Sequence, residues 1–194
     1  MSGNRPPLKF FLYKKISPLG VEGRYIMLGI DEGIAVLEQQ EASLQFNHFN
    51  RQDVWRLGKE MADKILEEGF GLAVSIRLLN GFTLFQYAGE GTNTDNTYWL
   101  EKKFNLVRDL DASSLLFSLR LKKRNQGLAD RGLDPRVYAW GGGGFPIRVK
   151  GTGLVAVAAA SGLPHLKDHD VLVESIARFL RVKDLSRLPL DAGF

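Results

Sequence analysis

In the stretch SGLPHLKDHD, one carboxylate and two imidazoles fall within five positions, at His165, Asp168 and His169. An adjacent Asp and His can serve as acid and base. Two imidazoles four residues apart share one face wherever a helix carries both, which is a spacing that metal sites use. The same residues have a plainer reading, in which Asp168 caps the last helix, His169 lies in its first turn and His165 is an exposed loop residue. A lone His pair does not assign a metal, so none is assigned. Ser161 stands near His165 but lacks a nucleophile-elbow pattern, which argues against a hydrolase triad.

A second polar cluster is GEGTNTDNTYWLEKK. Here Asp95 or Asn96 can cap a helix, and Trp99, Lys102 and Lys103 follow within two turns. Capping alone explains the Asp and Asn. A tryptophan beside cations can also stack on a planar anionic ligand and neutralise it.

The third candidate is AWGGGGFPIRVKGTG, in which six of fifteen residues are glycine. A phosphate loop needs Lys followed by Ser or Thr directly after its last glycine, whereas here Lys150 precedes Gly151-Thr152. Gly151 to Ala156 fits G-x-G-x-x-A, but LVAVAAASG is short and ends at Gly162 and Pro164, so no dinucleotide-binding helix opens there. Two readings stay open for Gly141, Gly142, Gly143 and Gly144 before Phe145. They are turn residues that give the backbone room to bend, or their bare amides form one wall of a pocket.

The rest of the chain narrows the classes of function. At 194 residues it holds one well-filled core, read as an N-terminal arm over residues 1–40 and a single α/β domain over 41–194. Net charge is +4 with both signs interspersed, so no nucleic-acid partner is expected. The densest basic run, Arg120 to Arg124, closes a helical pattern, where cations complement the helix dipole. With no cysteine, disulfides, thiolate catalysis and iron–sulfur clusters drop out, and a reducing compartment fits. The apolar run Phe10 to Tyr13 is far shorter than a signal-peptide core, and no segment is long enough to span a bilayer. A cytoplasmic protein without a membrane partner is the expectation.

Several elements can position these residues. The segment Lys9 to Lys15 reads as a strand, and the alternation from Ala42 to Phe49 predicts a half-buried one. Asn50 with Asp53 then opens a helix whose face is Val54, Leu57, Met61 and Ile65, closed by Gly69. Asn80-Gly81 between two β-rich runs marks a hairpin. A long helical stretch runs from about Asp95 to Asn125, bent or divided at Asp111 to Ser114. Three short strands follow at Arg136 to Trp140, Pro146 to Lys150 and Leu154 to Ala160. The last helix spans about Asp168 to Val182, with Leu172, Ile176, Phe179 and Leu180 on its apolar face. Hairpins in place of regular crossovers predict an α/β (α+β) fold with an antiparallel sheet and helices packed on it.

Taken in order, Gly91-Thr92, Asp95-Asn96, Trp99, Lys102-Lys103, Gly142 to Ile147, Ser161 to Pro164 and Asp168-His169 resemble the haem-degrading-domain superfamily, in its uncharacterised cytoplasmic branch. The likeness spans about residues 42 to 182. It implies a profilin-like single domain, a sheet of about five strands, a homo-oligomer, and a small ligand such as haem or a corrinoid. The chain departs from the pattern at Gly141, where relatives often carry His, and at Lys102, where they carry Arg. Haem ligation would therefore fall to His165, His169 or His48.

Three functions follow as expectations. The first is a homo-oligomeric binding protein for a planar or anionic small molecule, haem being one, with a pocket of Asp95, Asn96, Trp99, Lys103, Gly142, Gly143, Gly144, Phe145 and His165. The second is an enzyme in which His169 and Asp168 act as acid and base, or hold a metal with His165. The third is a non-catalytic assembly or adaptor protein.

Overall fold

The computed structural model describes residues 11–16 and 22–193, those before Leu28 by their backbone alone. Strands β1 (Phe11–Ile16) and β2 (Glu22–Met27) pair antiparallel as a separate ribbon. The strand expected from Lys9 is thus found from Phe11, and its first two residues lie outside the described ones, as do Pro6, Pro7 and Pro18. Helix α1 (Ile30–Ser43) crosses residue 40, where an arm was expected to meet the domain. Its Leu37 is fully buried and clusters with Leu115, Leu116 and Leu119.

The main sheet has five strands: β3 (Gln45–Phe46), β4 (Ala73–Leu78), β5 (Thr83–Ala88), β6 (Gly144–Val149) and β7 (Gly153–Ser161). Their order is β3-β6-β7-β4-β5. The two-residue β3 runs parallel to β6, and the other pairings are antiparallel, so the sheet expected to be antiparallel is mixed. The strand expected over Ala42 to Phe49 shrinks to β3 because α1 continues through Ser43. No strand forms at Arg136 to Trp140 either. There Asp134 accepts from the Arg136 amide at 2.8 Å and from its guanidinium, which locks a turn around Pro135.

Helix α2 (Arg51–Glu68) starts and stops as its sequence dictates. Asn50 accepts from the Asp53 amide, Asp53 returns a bond to the Asn50 amide, and Gly69 ends the helix at φ 64°. The β4–β5 hairpin turns at Asn80-Gly81 with Gly81 at φ 88°. The long helical stretch is two helices, α3 (Thr94–Leu110) and α4 (Ser114–Lys123), because Asp111 takes a left-handed conformation and the Ser113 side chain caps α4. Helix α5 (His165–Leu180) begins one turn earlier than expected, directly after Pro164.

Helices cover both faces of the sheet, which is why LVAVAAAS reads as one unbroken apolar run. Ala156, Ala158 and Ala160 of β7 join the core that includes Val54, Leu57 and Met61 of α2 and Leu172 and Ile176 of α5. The alternate residues Val157 and Ala159 meet Phe104, Val107 and Leu100 of α3. α4 packs between α3 and α1, so the C-terminal end of β7, the start of α5 and the α3–α4 pair converge on one region.

Candidate functional site

A cleft of about 930 Å³ opens where these elements converge. The N-terminal half of α3 supplies Asp95, Asn96, Trp99 and Lys103, and α4 supplies Leu115, Ser118, Leu119 and Lys122. Trp140 to Gly142 and the turn from Ser161 into α5 close the remaining sides, with His165 and Asp168 on the latter.

Each α3 side chain is held by a bond. Asn93, in extended backbone, caps α3 in place of the expected Asp95 or Asn96, accepting from the Asp95 amide at 2.8 Å. Asn96 completes the capping box through its Oδ1, and its Nδ2 donates to the Ser161 carbonyl at 3.1 Å, tying α3 to the end of β7. Trp99 Nε1 donates to Asp95 Oδ2 at 3.1 Å, while Lys102 Nζ lies over the indole face, 5.2 Å from the ring centroid. The indole is therefore oriented before any ligand arrives, yet remains 41% exposed.

Lys103 and Asp168 form a buried ion pair, 5% and 2% exposed as residues. Nζ donates to Asp168 Oδ2 at 2.8 Å and to the Ala160 carbonyl at 2.7 Å, and Asp168 Oδ1 accepts from the Leu163 amide at 2.9 Å. Asp168 thus satisfies backbone ahead of the helix, but from the fourth residue of α5 and not from its cap. Burial pulls the Lys103 ammonium below its ordinary range against the attraction of Asp168. Burial likewise pushes the Asp168 carboxyl up, opposed by Lys103 and by the amides of Leu163 and Gly162. The two shifts narrow the gap between the groups, so a proton passes between them at less cost than in water.

The glycine segment is threaded against this pair. A Cβ on Gly142 would stand 1.9 Å from the His165 carbonyl oxygen, and one on Gly143 would stand 2.4 Å from the Ala160 carbonyl oxygen. Gly143 is also at φ 107°. Close backbone approach therefore accounts for the glycines at these two positions. Two serines one turn apart on α4 hold the segment: Ser118 Oγ accepts from the Gly141 amide at 2.6 Å, and Ser114 Oγ from the Gly144 amide at 2.9 Å. Of the glycines expected in a pocket wall, Gly142 lines the cleft, while Gly143 lies behind it and Gly144 enters β6. Phe145 is 1% exposed, inside the core, with its ring 5.9 Å from that of His169.

The three histidines part company. His165, exposed overall, lines the cleft, where partial burial and then the charges of Lys103 and Lys122 lower the pKa of its imidazole. His169 shares the helix, as the four-residue spacing allows, but is buried at 2% exposure and sits outside the lining. Its Nε2 is 2.9 Å from Gln40 Oε1 on α1, and its Nδ1 has no partner among the described residues. His48 is at the opposite end of the fold, against Asp53 at 2.8 Å. Asp168 and His169, neighbours in sequence, face different surroundings and make no bond to each other. Among the described residues no cluster of three or more His, Asp or Glu side chains could hold a metal ion.

Sequence reasoning missed Trp140, Ser118 and Lys122. Trp140 had been placed on a strand, and Lys122 belongs to the basic run read as a dipole complement. Arg120 and Lys123 of that run do pair with Glu38 and Asp31 of α1. Lys122 is instead in the cleft, one turn beyond Ser118, and that i, i+4 relation was the available signal.

Comparison with known proteins agrees with this fold. Residues 49–177 match the family model described as haem degrading protein, HbpS-like. A UPF0303 protein of Yersinia enterocolitica is 38% identical over 154 residues, 79% of this chain and 91% of that protein. A UPF0303 protein of Rhizobium etli is 38% identical over 162 residues, 84% and 98% of the two chains. Among solved structures, the Ybr137w protein superposes with a TM-score of 0.71 at 26% identity, covering 79% of this chain and 89% of that one. A PduOC–haem complex superposes at 0.57 with 16% identity, over 66% and 93%, and that likeness carries the fold alone.

Proposed function

We propose, since this chain belongs to the HbpS-like haem degrading protein family, that its cleft binds a planar, anionic small molecule, and that haem is the member of that class it takes. The observation that carries this reading is the pairing of groups in one cleft. Trp99 and Trp140 offer exposed aromatic faces, Leu163 adds apolar surface with the buried Leu115 and Leu119 behind the lining, and Lys122 adds a cation. Flat apolar area with a charge beside it suits a ring system bearing carboxylates.

These residues fit haem on chemical grounds. His165 would hold the iron, because its imidazole lines the cleft and its lowered pKa favours the unprotonated ring that a metal ligand needs. Lys122 would meet a propionate and Trp99 the macrocycle. His169 does not qualify, since burial and Gln40 occupy it. Bound haem would supply iron chemistry, while the chain itself orients the ring, excludes water with its leucines and favours the unprotonated imidazole. The PduOC structure was solved with haem, and that supports testing haem first.

We further propose a cytoplasmic homo-oligomer. Exposed Trp55, Phe82 and Tyr98, at 63%, 59% and 63%, offer apolar area for self-association. Among the described residues no helix is long and apolar enough to cross a membrane.

The binding test is tryptophan quenching by an iron-free porphyrin carboxylate, in the parent and in Lys122→Ala. The variant should bind about tenfold more weakly, as loss of one charge-assisted contact implies. Equal affinity would remove Lys122 and this orientation of the ligand.

A further inference from the structure

Two lysines are buried among the described residues, Lys64 and Lys103, and their settings differ. Lys64 lies between Glu68 and Glu174, away from the cleft. Lys103 lines the cleft and has a single carboxylate beside it. Its ammonium has three hydrogens, two of which go to Ala160 O and Asp168 Oδ2. Among the described residues nothing accepts the third.

Gly143 packs against the pair from behind, where a Cβ would stand 2.4 Å from the Ala160 carbonyl oxygen, 2.6 Å from Lys103 Nζ and 2.9 Å from Asp168 Cβ. The backbone closes that side, so the approach left to the amine is from the cleft that Lys103 lines. The same pair at the edge of 930 Å³ of ligand space has the parts of a nucleophilic amine: a lysine in a desolvated site, and a base within one hydrogen bond.

We infer that Lys103 is an imine-forming amine, and that the molecule taken by the cleft includes an aldehyde or ketone on a planar, anionic scaffold. This rests on the binding reading above and adds a covalent step to it. Lys103 first gives a proton to Asp168, leaving a neutral amine beside a carboxylic acid. The amine nitrogen attacks the carbonyl carbon, forming the C–N bond, and the carbonyl oxygen takes the proton back from Asp168. The new nitrogen then returns a proton to Asp168, which passes it to the carbinolamine hydroxyl as the C–O bond breaks and water leaves. The product is a protonated imine beside the Asp168 carboxylate. Charge at the site is the same before and after, and no oxidant or reductant takes part. Burial of both partners eases the first transfer, because it moves their pKa values towards each other.

The probe is pyridoxal 5′-phosphate, a planar anionic aldehyde, reduced in place with cyanoborohydride and mapped by peptide mass spectrometry on the parent protein. Pyridoxine 5′-phosphate, with an alcohol in place of the aldehyde, reports binding alone through tryptophan quenching. Reduction should fix the probe on Lys103 with about tenfold preference over any other lysine. Lys103→Arg, which keeps the charge, should trap no aldehyde at position 103 and leave the other lysines at their parent level of label. If the alcohol binds while the aldehyde label spreads over exposed lysines such as Lys59 and Lys123, the imine is overturned and the binding reading stands. If neither compound binds, both fall. Mapping on the parent decides the point even where Lys103→Arg fails to fold.

Discussion

His169 gives a stability prediction with a sign and a size. Its pKa is drawn from the ordinary 6.5 down to about 3, first by burial and then by repulsion from His165 where that ring is also protonated. In the unfolded chain the ring is in water and takes a proton near its ordinary value. Between these two values the unfolded state binds more protons, so stability falls as the pH falls. The contribution is complete above about pH 6.5 and exhausted near the folded pKa of about 3. Each unit within that window is worth about 1.4 kcal/mol, so going from about pH 7 to about pH 5 should cost about 2 kcal/mol through this residue. Urea unfolding at the two pH values measures it, in the parent and in His169→Gln. Gln can still donate to Gln40 Oε1 but does not titrate, and groups common to both proteins cancel in the difference. The parent should lose about 2 kcal/mol more than the variant between the two pH values. Parallel losses would mean that His169 is hydrated or protonated in the folded protein, and would refute its burial as the reason it is no ligand.

Two further outcomes follow from the cleft wall. Lys103→Met leaves the Asp168 carboxylate buried without its cation and should cost about 3–5 kcal/mol, while Lys103→Met with Asp168→Leu should recover most of that. Thermal unfolding reads this, at about 2–4 °C per kcal/mol for a chain of this size. Ser118→Ala removes the acceptor of the Gly141 amide and should cost about 1–3 kcal/mol, with faster amide exchange at Gly141 and little change at Gly144, which Ser114 holds separately.

Local chemistry made part of this fold legible. Asn50, Asp53 and Gly69 delimit α2 through bonds made within four residues of each other, and Asn80-Gly81 needs only its own backbone to turn. Helix α1 was not legible, because Gly29 and Gly33 interrupt its start and its partner α4 lies about seventy residues on in the chain. Arg136 to Trp140 looked extended through Val137, Tyr138 and Trp140, yet the Asp134 carboxylate and Pro135 settle that segment as a turn. Asp95, Asn96, Trp99, Lys103, Gly142, His165 and Asp168, drawn from three separate motifs, line one cleft. Ser118 and Lys122 share one face of α4 by their i, i+4 spacing, but only the packing of α4 beside the glycine segment turns that face to the cleft. The fate of His169 was equally hidden, since it depends on Gln40, 129 residues away.

The central claim is that the cleft takes haem through His165. Haem added stepwise to the parent, to His165→Ala and to His169→Gln, and followed in the visible spectrum, tests it most directly. Haem held by His165 should give a saturable Soret shift at one haem per subunit in the parent and in His169→Gln, and its loss or marked change in His165→Ala. An identical shift in His165→Ala would contradict the assignment of His165, and no saturable shift in the parent would contradict haem as the ligand.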